Sequence, residues 1–339
     1  MQAVKFITAF AVIIVVVSVS VLLAQGAHTL PSALAGPGTP ALMPRVGGTV
    51  FGEGVASDWQ GNVYFNEMGS NNRTMQVKVG QDSGRIWRTA KDAPNGIWLD
   101  TQNRLIICQK MAIVRVKPTA VFDGMTDTLY KYSGTGQDFN DVTGDSKDNL
   151  YFTNFNGKSV FFRNAITGVT KEVLSNQPKP NGIEWDEERK TVYVCENGAG
   201  KVAAYTVGID NALENRQDFA TVGGADGIVL DSAGNVYAVA FGAAVKVFTP
   251  VGAPLGEIPI AGSQLTNLAF GGADFRTLFM ITDKGLYKLP MKVKGYKSGQ
   301  YSVGIRKSVA RETVPTSAFT HADMPHRVDG KVLLPSANP

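Results

Sequence analysis

Histidine is almost missing from this 339-residue chain: there are three, His28, His321 and His326, and none between residues 29 and 320. Across that stretch, catalytic triads built on imidazole and zinc sites built on His are both excluded. Cysteine is nearly as scarce, with Cys108 and Cys195 alone, so no disulfide scaffold supports the fold. Charge of one sign is also scarce. The formal net charge is +4, too small and too dispersed for a nucleic-acid footprint. No complete Gly-x-x-x-x-Gly-Lys-Ser/Thr phosphate loop occurs, so nucleotide binding has no support.

What is abundant is apolar residues and glycine. The apolar fraction is 44%, enough for a sizeable core, and the 37 glycines suit a turn-rich β protein better than a helical one. The N-terminus stands apart. Lys5 precedes "FITAFAVIIVVVSVSVLLA", 19 uncharged residues, which read as a signal peptide or an uncleaved membrane anchor within residues 1–26. Either fate places the domain outside the cytoplasm: secreted, periplasmic, or anchored by residues 6–24. Residues 27–46, rich in Ala, Pro and Gly, read as a linker. The tail from 307 to 339 has no period and reads as loose.

Between these ends the chain repeats itself. The segments "EGVASDWQGNVYFNE" from 53, "NGIWLDTQNRLIICQ" from 95 and "NDVTGDSKDNLYFTN" from 140 share one plan with "NGIEWDEERKTVYVCE" from 181, "DGIVLDSAGNVYAVA" from 226 and "TNLAFGGADFRTLFMIT" from 266. A polar residue comes first, then a small or turn-forming one, a β-prone run, a turn and a second strand. Six units at intervals of 40 to 45 residues predict an all-β, six-bladed β-propeller over residues 47–306. Third strands are expected at 84–89, 112–117, 158–164, 201–207, 244–250 and 285–293. "GGTVF" at 47–51 is the candidate to close the ring on blade six.

Within each unit, roles separate by position. Asp58, Asp100, Asp145, Asp186 and Asp231 stand where Asp-x-x-Gly or Asp-x-x-Asn makes a turn, and are read as turn residues. The four tryptophans, Trp59, Trp87, Trp98 and Trp185, are read as blade packing. Cys108 and Cys195 fall in units two and four, which are not neighbours, and are read as buried free thiols. The first positions are Glu53, Asn95, Asn140, Asn181, Asp226 and Thr266. In a propeller the start of each innermost strand lines one mouth of the central channel. All six are polar, none is basic, and each carries a hard oxygen. Two carboxylates converging there repel each other and are costly to desolvate, and a divalent cation removes that cost. An all-oxygen set suits calcium, with magnesium the alternative if the site is a tight octahedron.

These residues resemble the senescence marker protein (regucalcin) and gluconolactonase family. The likeness is carried by F-x-E-G-x-x-x-D-x-x-G-x-V-Y-F at 51–65, P-N-G-I at 94–97 and 180–183, N-D-V at 140–142, and D-G-I-x-x-D-x-x-G-N-V-Y at 226–237. It covers about residues 47–295. The resemblance implies a channel-mouth metal, usually calcium, held directly by Glu53, Asn181 and Asp226. It places Asn140 beside the metal, touching it or the substrate, and Asn95 in the pocket lining. It implies hydrolysis of small-molecule esters, most often lactones. Sugar-lactone members carry an arginine two residues before the Asn-Asp pair; Asp138 stands there in this chain, which speaks against an aldonolactone. With no histidine in the repeats, the base is a carboxylate or metal-bound hydroxide. Asp226 is the candidate, as base toward water or, alternatively, as nucleophile. The rival class is a non-catalytic propeller that binds a ligand or protein through its mouth.

Overall fold

The computed structural model describes residues 27–44, 51–69, 72–90, 92–116, 126–134, 136, 138–242, 244–260 and 264–296, and the backbone of 327–328 and 331–332. The expected signal or anchor segment and nearly all of the 307–339 tail lie outside the described residues. Of the tail, a two-stranded ribbon pairs Arg327–Val328 with Lys331–Val332.

Six four-stranded antiparallel sheets form a β-propeller, as the repeat predicts. Blade one holds β2 (Gly52–Ser57), β3 (Val63–Glu67), β4 (Arg73–Val77) and β5 (Gly84–Thr89). Blade two holds β6 (Pro94–Leu99), β7 (Leu105–Gln109), β8 (Ala112–Val116) and β9 (Thr126–Lys131). Blade three runs from β10 (Phe139–Gly144) through β11 (Leu150–Asn154) and β12 (Ser159–Arg163) to β13 (Thr170–Leu174). Blade four holds β14 (Pro180–Asp186), β15 (Thr191–Glu196), β16 (Lys201–Val207) and β17 (Leu213–Thr221). Blade five holds β18 (Ala225–Leu230), β19 (Val236–Ala240), β20 (Ala244–Phe248) and β21 (Pro254–Pro259). Blade six holds β22 (Leu265–Gly271), β23 (Thr277–Thr282) and β24 (Gly285–Pro290), and its outer edge is β1 (Ala41–Leu42).

Two expectations are corrected here. Gly84–Thr89 is the fourth strand of blade one rather than the third, because Arg73–Val77 pairs between it and Val63–Glu67. The blade-six edge is closed by Ala41–Leu42 against Tyr287 and Lys288; residues 47–50, expected there, lie outside the described residues. Residues 27–44 are accordingly no linker. Leu30, Leu34 and Ala35 are buried in the core between blades five and six, and Met43 in the core between blades six and one. The Thr29 N–H also donates to Glu257 O at 2.9 Å. Four apolar anchors hold this stretch to the sheet edges, and the two-residue strand it supplies covers part of the blade-six edge.

Each pair of neighbouring blades shares one apolar core, six in all. Trp87, Trp98 and Trp185 are buried in three of these and Trp59 is half-buried. Cys108 and Cys195 are buried free thiols, and burial pushes both well above the ordinary range, so they are inert packing. The recurring aspartates close the turn between the first two strands of blades one to five. Asp58 Oδ1 accepts from the Gln60 and Asn62 N–H at 3.0 and 2.9 Å, and Asp100, Asp145 and Asp231 repeat the pattern. These turns sit at the lower face; the first positions sit at the upper mouth.

Candidate site at the channel mouth

The first positions converge because the next residue lets them. In blades one, two, four and five that residue is glycine, and a Cβ there would strike the following blade. At Gly54 it would lie 2.2 Å from Asn95 O, at Gly182 2.2 Å from Asp226 O, and at Gly96 2.8 Å from Asn140 O. Gly54 also adopts φ +47°, which disfavours a side chain. The innermost strands therefore pack backbone to backbone around the axis. Side chains of the preceding blade add a second tie: Asn66 Nδ2 donates to Asn95 O, and Thr153 Oγ1 donates to Asn181 O at 2.6 Å.

Glu53, Asn95, Asn181 and Asp226 are all buried and Asn140 is partly buried. The Asn181 side chain hydrogen-bonds Asp226. Burial, with the Asp141 and Asp138 charges adding to it, pushes Glu53 from 4.5 up to about 8. Burial and then the Glu53 and Asp141 charges drive Asp226 well above the usual carboxylate range. Mutual repulsion between Glu53 and Asp226 is thus a property of this geometry. Asp226 Oδ1 and Asn95 Oδ1 are buried and have no hydrogen-bond partner. Two orphaned oxygens beside two repelling carboxylates, with amide oxygens from Asn140 and Asn181 at hand, are a donor set that fits an oxygen-loving divalent cation.

Thr266 does not join the ring. Its hydroxyl donates to Gly52 O at 2.7 Å, so it fastens blade six to blade one and closes the circle. Asp138 stands at the mouth, partly buried; its carboxylate accepts from Asn156 Nδ2 at 3.0 Å and burial raises it, against the charge of Lys110. The mouth therefore carries a carboxylate two residues before the Asn140–Asp141 pair.

Two functional neighbours escape the sequence reading. Asp141 and Asn267 occupy the second positions of units three and six, where the other four units have glycine. Asn267 Oδ1 accepts from the Leu268 N–H at 2.8 Å, and its side chain hydrogen-bonds Asp141. Burial pushes Asp141 up to about 7. Beneath them, a cavity of about 90 Å³ is lined by Asp141, Glu184, Asn267 and Tyr296 among others. Glu184 is pushed up to about 8, again chiefly by burial. The signal for the pair is in the sequence: a polar side chain in place of the glycine, twice, three units apart.

The comparisons agree with this architecture. The SMP-30/gluconolactonase/LRE-like region matches residues 51–284. Pentonolactonase XacC of Haloferax volcanii is 28% identical over 156 residues, 43% of this chain and 54% of that protein. This chain thus spans about half of that relative. Lactonase drp35 of Staphylococcus saprophyticus is 23% identical over 231 residues, 62% of this chain and 70% of its own. Among solved structures, the Xanthomonas campestris gluconolactonase XC5397 superposes with TM-score 0.69 at 22% identity, covering 79% of this chain and 96% of that one. A calcium-binding regucalcin of Agrobacterium tumefaciens superposes with TM-score 0.66 at 16% identity, covering 77% and 98%. With its matched region spanning most of the propeller, the chain belongs to the SMP-30/gluconolactonase/LRE-like family.

Proposed function

We propose that the protein is an exported, calcium-dependent lactonase whose site is the upper channel mouth. The observation that carries the reading is the pair of repelling, buried carboxylates, Glu53 and Asp226, beside the orphaned Oδ1 atoms of Asp226 and Asn95. Relatives described as lactonases and a structural neighbour described as calcium-binding support it. Glu53, Asn181 and Asp226 would hold the cation directly and Asn140 would complete the protein's share, with magnesium as the alternative ion. When bound, such a cation supplies Lewis-acid polarisation of the ester carbonyl.

This chain's own residues do the rest. Asn95 and Asn140 donate amide hydrogens that orient a small cyclic ester. Asp226 accepts the proton of the attacking water; burial alone would keep its carboxyl protonated, and the cation it would hold favours the ionised form that a base requires. The glycine-packed strands hold these groups without freedom to drift, which is what positioning requires. Asp138 adds negative charge to the entrance, so the favoured substrates are uncharged lactones, and lactones bearing a carboxylate are disfavoured. The test is hydrolysis of a neutral lactone with and without calcium. Turnover that is abolished by chelator and restored by calcium supports the reading; no turnover at any calcium level refutes it.

A further inference from the structure

The lower face, opposite the channel mouth, carries an unusual corner. The two most exposed large apolar side chains among the described residues are Ile166, at 94%, and Ile209, at 88%. Val169 adds a third at 62%. They lie on the hairpins joining the last two strands of blades three and four. Blade three is tied to the blade-four hairpin: Lys171 Nζ, on its last strand, donates to Asp210 O at 2.6 Å, and Tyr151 OH, on its second, donates to Asn211 O at 3.4 Å.

Beside Ile166 opens a cavity of about 160 Å³ in the seam between blades two and three. Arg104, Arg115, Lys147 and Arg163 line it, with Asp100 and Asp148. The lining acids are engaged: Asp100 holds Arg104 at 2.6 Å, and Asp148 accepts from Thr101 N and Oγ1 at 2.8 and 2.6 Å. Arg115 reaches Asp127 at 3.0 Å. Arg163 has no carboxylate partner among the described residues. It donates to Leu129 O and Asn164 O, at 3.0 and 3.4 Å, and the charge of Arg115 adds to burial in disfavouring its cation. Lys147 is exposed and likewise unpaired among the described residues.

Protruding aliphatics beside a pocket lined by four cations and two carboxylates, with Arg163 and Lys147 outside its ion pairs, match one surface better than any other: an anionic bilayer, with hydrocarbon for the isoleucines and a phosphate group for the guanidinium. We propose that this corner of the lower face docks on anionic phospholipid, with a headgroup phosphate in the seam between blades two and three. Such docking leaves the channel mouth facing away from the membrane and open to solution.

The experiment uses the full chain with vesicles of phosphatidylcholine alone or with phosphatidylglycerol added. Binding should favour the anionic vesicles and weaken with salt. Lys147→Gln should lose roughly fivefold in affinity for them, and Ile166→Ser with Ile209→Ser should also lose affinity. All three side chains are exposed, so the variants should melt with the wild type. Because the N-terminal apolar run can insert by itself, amide hydrogen exchange is read at 164–170 and 208–212. Anionic vesicles should slow exchange there and neutral ones should not. Unchanged exchange at both hairpins, or variants whose hairpins are protected by anionic vesicles as the wild type's are, overturns the proposal. So does protection by inorganic phosphate without any by vesicles, which would make the seam a site for a soluble phosphate compound.

Discussion

Asp141 on blade three and Asn267 on blade six meet across the channel, the Asn267 amide hydrogen-bonding the Asp141 carboxyl from the opposite side of a six-bladed ring. Four glycines let the other strands close on the axis, and these two side chains fill what is left. The bond crosses the diameter of the propeller, so it braces blades that share no other core. Asn267→Leu keeps the bulk but removes the donor from across the channel, leaving the buried Asp141 carboxyl with the Val142 and Ile183 N–H alone. The expected cost is about 1–3 kcal/mol, measured by denaturant unfolding. No loss of stability would mean that the brace is idle.

Gly182 tests the packing that builds the mouth. A Cβ there lies 2.2 Å from Asp226 O and 2.9 Å from Gly227 Cα. Both are backbone atoms, so no rotamer change relieves the clash. Gly182→Ala should cost about 1–3 kcal/mol and weaken calcium binding by shifting Asp226. Gly223, where a Cβ meets nothing within 4 Å, is the control, and Gly223→Ala should stay within about 0.5 kcal/mol of wild type.

Leu34 separates a structural segment from a linker. It is 1% exposed in the core between blades five and six. Leu34→Ala should destabilise by about 2–5 kcal/mol, read from thermal or urea unfolding. A linker residue would change nothing.

Much of this was legible beforehand, and the exceptions have physical causes. The six-unit period fixes the blades and the positions of Glu53, Asn95, Asn140, Asn181 and Asp226, because each innermost strand begins one period after the last. Turn chemistry identifies the recurring aspartates. Arg73–Val77 is missed as a strand because "RTMQV" lacks a clear apolar alternation, which moves Gly84–Thr89 one place inward in the sequence reading. Leu30, Leu34 and Met43 are hidden by the Ala, Pro and Gly around them, and a closing strand of two residues leaves no periodic signal. Thr266 has the ring position but not the ring role: its short side chain reaches Gly52 O, and hydroxyl and carbonyl satisfy each other there.

The pH response of stability follows from the raised carboxyls. Glu53 is held at about 8 against 4.5 in an ordinary setting. A carboxyl raised on folding contributes its stability below the unfolded value and loses it as pH climbs through the folded one. Asp141 and Glu184 act in the same direction. With chelator present, the melting temperature should therefore fall as pH rises from about 4.5 to about 8. Calcium favours the ionised carboxylates, so the gap between calcium and chelator should widen over that window. Glu53→Gln should shrink the gap. Equal melting temperatures with and without calcium across the range would remove the cation from the account.

The measurement that bears most directly on the lactonase reading is the rate of hydrolysis of a neutral lactone against calcium concentration, for wild type, Asp226→Asn and Asn181→Asp. The amide of Asp226→Asn keeps an oxygen but accepts no proton at neutral pH. Its rate at saturating calcium should stay about 10²-fold or more below wild type. Asn181→Asp keeps an oxygen and adds a charge, so it should bind calcium and retain turnover. If Asp226→Asn recovers the full wild-type rate once calcium saturates it, Asp226 is a ligand only, and the assignment of the base to this residue is contradicted.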